Sequence, residues 1–208
     1  MLRKNITVVI RVAAVSGMVG PVVFAGVLLA LTLAQYDFML GIGWRPLEDP
    51  SSAWPSGLAL GTYGLAQVAN FVLSGILLMI FAAGLHLGAP DGRSPSIGPA
   101  LLFVAGVAMA LMGFKTDPMH STGPQTLHNL IHDFAFALFV LALLPAFFFL
   151  WQRFREDSLW RGHARYTCIT GVLATVLLFS PEVAYYLFLA AVLVWVEVTA
   201  FRLWRLSA

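Results

Sequence analysis

The chain has 208 residues, 60% of them hydrophobic and 11% charged, with a formal net charge of +2. Soluble domains carry about a quarter charged residues, and apolar runs of ~18 residues or more mark membrane spans, so this composition excludes a soluble domain. The one cysteine, Cys168, lies inside an apolar run, which rules out an intrachain disulfide and argues against thiol catalysis.

The basic N-terminus MLRKNITVVIRV precedes an apolar run over 12–34. That run is too long for a signal-peptide core of ~7–15 residues, so it reads as a retained first span. Further spans are expected at 61–87, 97–114, 125–151, 166–180 and 182–201, the fifth short enough to be tilted or partly re-entrant. The expected fold is all-α: one polytopic six-helix membrane domain over residues 1–208.

Lys and Arg set the orientation. With the N-terminus inside, Arg3, Lys4, Arg11, Arg93, Arg153, Arg155, Arg161, Arg165, Arg202 and Arg205 face the cytoplasm, and only Arg45 and Lys115 face out. This positive-inside bias places both termini in the cytoplasm of a multi-pass cell-membrane protein, with a bacterial inner membrane as the expected setting. It also accounts for the inner arginines without nucleic acid.

The first outer loop, about 35–60, opens on Tyr36 and Asp37 and carries Trp44, Trp54 and three prolines. The simpler reading is an interfacial aromatic belt with turns; the sharper one is a cap folded over an outer site. The second span carries Tyr63, Gln67, Asn70 and Ser74 at spacings of 4, 3 and 4, a single polar stripe entering from the outer end. Gly84 with Gly88, and Gly106 with Ala110, have the spacing of close helix contacts.

Between the third and fourth spans runs GFKTDPMHSTGPQTLHNLIHD, residues 113–133. It holds Asp117 and His120 in a loop, then His128 and His132 four apart on one helical face. Two readings stand side by side. In one, His128, His132 and His120 or Asp117 hold Zn²⁺, with Asp117 or Asp133 as catalytic base. In the other, the imidazoles are hydrogen-bonded near the headgroups and the stripe on the second span only joins helices. Asp133 lies five residues from His128, about 140° round the helix, and needs a partner or a proton if buried. Glu182 after Ser180-Pro181 has the pattern of a helix start. Polar residues do not continue to the inner face, which argues against an ion pathway.

Tyr36-Asp37, the segment Asn70 to Gly75, Phe81 to Leu85, Gly113-Phe114, Asp117-Pro118 and Thr126-x-His128-x-x-x-His132 resemble the bacterial membrane family of unknown function 998. That resemblance spans most of the chain and implies six spans, with no established activity. The chain departs from the family pattern at Asn129, where glycine often follows the first histidine, and at Ser180 to Ala184. A looser chemical similarity is to ceramidase- and progestin-receptor-type membrane hydrolases, whose zinc site implies parts for His128, His132, Asp117 and Ser74. The functional expectation is a polar outer-leaflet pocket, including Asp37, Tyr63, Gln67, Asn70 and Ser74, that binds a membrane lipid, a lipid-like molecule or a metal. A metal-dependent lipid hydrolase and a purely structural or partner-binding bundle are the alternatives.

Overall fold

The computed structural model describes residues 2–44, 55–88, 96–118, 121–180 and 184–207. These residues form α1 (Leu2–Ala34), the short α2 (Tyr36–Gly41), a 3-10 helix (Pro55–Leu60), α3 (Gly64–Gly88), α4 (Ile97–Leu111), α5 (Leu127–Glu156), α6 (Arg161–Leu178) and α7 (Ala184–Leu206). Among the described residues there is no strand. Four segments, Ile6–Ala34, Gly64–Gly88, Leu127–Glu156 and Ala184–Leu206, are long and apolar enough to cross a membrane. Ile97–Leu111 is a shorter apolar helix.

The long helices pack as a closed ring in the order α1, α3, α4, α5, α6, α7 and back to α1. Each runs antiparallel to its neighbours, as the contact positions show. Gly17 and Gly84 of α1 and α3 lie against Phe81 and Ala13, and Gly75 of α3 lies against Gly106 and Ala110 of α4. Gly98 of α4 meets Leu150 of α5, and Gly171 of α6 meets Phe147. His163 of α6 bonds Thr199 of α7. The chain ends therefore share one end of the ring. There Arg11 Nε donates to the Ser207 carbonyl at 3.3 Å, and its guanidinium lies 5.6 Å from the Trp204 ring centroid.

Small residues set these approaches, as in membrane bundles where apolar side chains gain little by leaving lipid. A Cβ on Gly75 would stand 2.5 Å from the Gly106 carbonyl oxygen and 2.6 Å from the Ala110 nitrogen. Gly84 and Gly88, the other expected contact pair, abut Ala13 of α1 and Leu203 of α7 respectively.

The basic end has its own lock. Arg153 of α5 is buried, and its Nη2 donates 3.1 Å to the His86 carbonyl in the last turn of α3, where a cation complements the free carbonyls. Arg202 donates to the Leu159 carbonyl in the turn between α5 and α6 and sits over Trp160, 5.6 Å from its ring centroid. These arginines carry α5 to Glu156, past the expected 151, and α6 starts at Arg161 rather than 166. The helix expected to be short is a full 18-residue ring member.

At the opposite end, the described part of the first loop folds back on the bundle. Gly43, at φ 100°, supplies the left-handed turn after α2 that lets Trp44 pack with Leu31, Met39 and Leu58. Gln35 is buried and bridges the loop: its Nε2 donates 3.2 Å to the Leu58 carbonyl and its Oε1 accepts the Tyr63 N–H at 3.0 Å. Trp44 is thus buried, whereas Tyr36, also expected in an aromatic belt, is exposed. Residues 45–54, with Trp54, lie outside the described residues.

Candidate functional site

Inside the ring, toward the end away from the termini, lies a cavity of about 290 Å³. Helices α1, α3, α4, α5 and α7 wall it, and Pro55, Ser56 and Thr116 reach it from the loops. Most of the wall is apolar and aromatic, including Phe24, Phe71, Phe136, Phe139, Phe188 and Leu189. The polar side chains are Ser16, Ser56, Ser74, Thr116, His132, Asp133 and Tyr185. A mainly apolar cavity with a few polar groups is the usual form of a small-molecule site, and this volume lies near the ~300 Å³ lower bound.

His132 is the central polar group. It is buried, and its Nδ1 lies 2.9 Å from the Met112 carbonyl oxygen and 2.8 Å from that of Phe114. Carbonyl oxygens only accept, so Nδ1 carries a proton, and in the neutral ring Nε2 is the acceptor nitrogen. The bond also satisfies carbonyls freed where α4 ends. The ring stands edge-on to Phe71, centroids 6.2 Å apart.

His128, one turn earlier, is exposed and packs on the Phe114 ring, centroids 5.4 Å apart, outside the cavity wall. The structure thus separates the expected histidine pair by environment. His120 lies outside the described residues. Among the described residues no three His, Cys, Asp or Glu side chains converge as a metal-ligand set.

The two aspartates of the expected site serve the start of α5. Asp117 Oδ2 accepts the Thr126 N–H at 2.8 Å and its Oδ1 accepts the Thr126 hydroxyl at 2.7 Å. Thr126 in turn caps α5, its Oγ1 accepting the Asn129 N–H at 3.3 Å. These two Thr126 donors hold the Asp117 carboxyl below its ordinary range, with a small further lowering from the His128 charge. Asn129 closes the loop, accepting the Asp117 N–H at 2.9 Å through Oδ1 and donating 3.0 Å to Asp133 Oδ2 through Nδ2. Gln125 Nε2 donates to the same Asp133 oxygen at 2.7 Å. Asp133 is exposed on the far side of the helix from His128, yet it lines the cavity.

The stripe expected on the second span divides. Tyr63 is exposed and precedes α3. Asn70 turns to α1, its Nδ2 donating 3.2 Å to the Phe24 carbonyl and 3.3 Å to Gln67 Oε1. Gln67 is fully buried, and neither it nor Asn70 lines the cavity. Only Ser74 reaches it, donating back to Asn70 Oδ1 at 3.4 Å. Of the pocket expected on the second span, Ser74 is the residue that meets His132 on one cavity, while Asn70 faces α1. Asp37 is exposed and bounds a separate shallow surface depression with Tyr36, Phe38 and Tyr63.

Sequence reasoning missed Ser16, Thr116 and Tyr185 as wall residues, and Pro21, which lines the cavity at mid-helix. A serine and a proline near one another in an otherwise apolar run was the available signal.

The family comparison matches residues 22–204 to the model described as Protein of unknown function (DUF998). The chain belongs to the DUF998 family. No curated protein and no solved structure matches this DUF998 chain. The segments whose resemblance pointed to the family include the cavity-lining Phe71, Ser74 and His132, on α3 and α5, and the loop clasp at Asp117.

Proposed function

We propose that this DUF998 protein is a six-span cell-membrane protein, termini in the cytoplasm, that binds a single-chain lipid-like molecule in the cavity of its helix ring. The observation that supports it is the cavity itself: an apolar slot with a buried, hydrogen-bonded His132 on its wall. At about 290 Å³ it is small for a two-chain lipid and suits one chain. The basic residues at the terminus-bearing end, Arg11, Arg153, Arg155, Arg161, Arg165, Arg202 and Arg205, favour the cytoplasm for that end, so the cavity lies in the outer leaflet.

The test is native mass spectrometry of protein released from membranes in mild detergent. A retained single-chain amphiphile is expected in the wild type and lost in Leu189→Trp, which fills the slot. A wild type that retains none, even after soaking with single-chain lipids, overturns the reading.

A metal-dependent hydrolase is the second reading, favoured by one observation. A histidine whose Nδ1–H is held by backbone carbonyls presents Nε2 as a metal ligand does. It requires partners beyond His132, with His120 and His128 the histidines available in the loop and helix. Zinc analysis of protein purified without a nickel column separates the two readings.

A further inference from the structure

We propose that the head group the cavity selects is a protonated amine, an inference that rests on the reading of the cavity as a binding site. Three polar groups of its wall direct a donor at the protein. Ser16 Oγ donates to the Val12 carbonyl at 3.0 Å, Ser74 Oγ to Asn70 Oδ1, and His132 Nδ1 to the carbonyls of Met112 and Phe114. What the two hydroxyls keep toward a ligand is lone pairs, and His132 Nε2 adds one in the neutral ring. Pro21 adds another acceptor: it has no N–H, so the Gly17 carbonyl one turn back lacks its helical donor, and both residues line the cavity.

Asp133 supplies the charge. Its Oδ2 accepts from the neutral amides of Gln125 and Asn129, and among the described residues no cation pairs with it. No Lys or Arg is among the described residues that line the cavity. The rings of Phe136 and Tyr185, centroids 6.4 Å apart, add faces that attract a cation. An ammonium has three donors and no acceptor, the complement of this wall. A sulfate or phosphate head would face lone pairs and a carboxylate. The hydroxyls of Ser56 and Thr116 can serve either way and do not alter the balance.

The experiment uses the full chain in nanodiscs of zwitterionic lipid, with tritiated dodecylamine as probe and empty discs as background. Displacement is measured with unlabelled dodecylamine, dodecanol, dodecyl sulfate and dodecyltrimethylammonium. Dodecylamine should displace at a concentration lower than dodecanol by about tenfold or more, the effect of hydrogen bonds to a charged group. The trimethyl analogue, with the charge but no N–H, should be weaker than the amine, and the sulfate weakest. Asp133→Asn, whose Oδ1 can still accept from Gln125 and Asn129, should bring the amine-to-alcohol ratio close to one while a cooperative melting transition is retained. Leu189→Trp, or Val192→Phe if that variant does not fold, should abolish binding of all the probes. Equal displacement by alcohol and amine, both lost on filling the cavity, overturns the amine assignment and leaves the cavity reading standing. Equal displacement by the trimethyl analogue likewise overturns it. Amine binding that survives both fillings, or no binding of any probe, overturns the two together.

Discussion

Replacing Gln35 by leucine strands the buried Leu58 carbonyl and removes the acceptor of the part-buried Tyr63 N–H. A buried unsatisfied group costs ~1–3 kcal/mol, so Gln35→Leu is expected to destabilise the loop by about that amount, read as lowered thermal stability and faster hydrogen exchange over 55–63. Asp117 makes a pH prediction. Its carboxyl titrates lower in the folded protein than in the unfolded chain, so its contribution is present above the ordinary carboxylate value of ~3.9 and is lost as pH falls through the lower folded value. Thermal melts should therefore lose stability below about pH 4, and Asp117→Asn should flatten that acid limb while fraying the first turn of α5. Neither role was legible beforehand. Gln35 is one amide at the end of an apolar run, and Asp117 was read for its charge, whereas its two oxygens hold Thr126. A sequence displays which groups can ligate, but not which have already been claimed by a backbone nine residues away.

The helices themselves were readable because an apolar run long enough to span is hard to mistake. Expected spans at 61–87 and 97–114 meet α3 at Gly64–Gly88 and α4 at Ile97–Leu111 closely. The misses occur where charge continues a helix. Arg153 looked like a cytoplasmic terminus and is instead buried against α3, and the Arg161–Arg165 stretch looked like a loop and is the first turn of α6. Helix faces were less legible than helix ends, because polar spacing groups Asn70 with Ser74 but says nothing of which neighbour each meets. The α3–α4 contact gives a sharper test. Gly75→Val places branched carbons where the α4 backbone already stands, and overpacking of this kind costs ~1–3 kcal/mol. Gly26 has open space where a Cβ would stand and should accept alanine with little change. The two variants compared in one denaturation series therefore report the contact rather than glycine loss in general.

At the scale of the whole molecule, the ring predicts where its ends lie. Reporter fusions placed after Leu206 and before α1 should both report the cytoplasm, and one placed in the α4–α5 loop near Ser121 the opposite side. A C-terminal fusion active only outside would overturn the orientation. Composition foretold a membrane bundle. The apolar lining was the part not foreseeable, because Phe, Leu and Val of five helices look alike in the sequence whether they meet a cavity, a neighbour or lipid.

The closure of α7 on α1 also has a consequence for synthesis. The wall residues Tyr185, Phe188, Leu189 and Val192 all lie on α7, as does Ala200, which covers Gly17. A nascent chain that has inserted α1 through α6 is an open arc, its cavity wall, with His132 and Ser74, bared sideways to lipid until α7 leaves the ribosome. Such an arc is what membrane chaperones and quality-control proteases recognise. Truncations before Ala184 should accordingly be degraded rather than accumulate as an unclosed remnant.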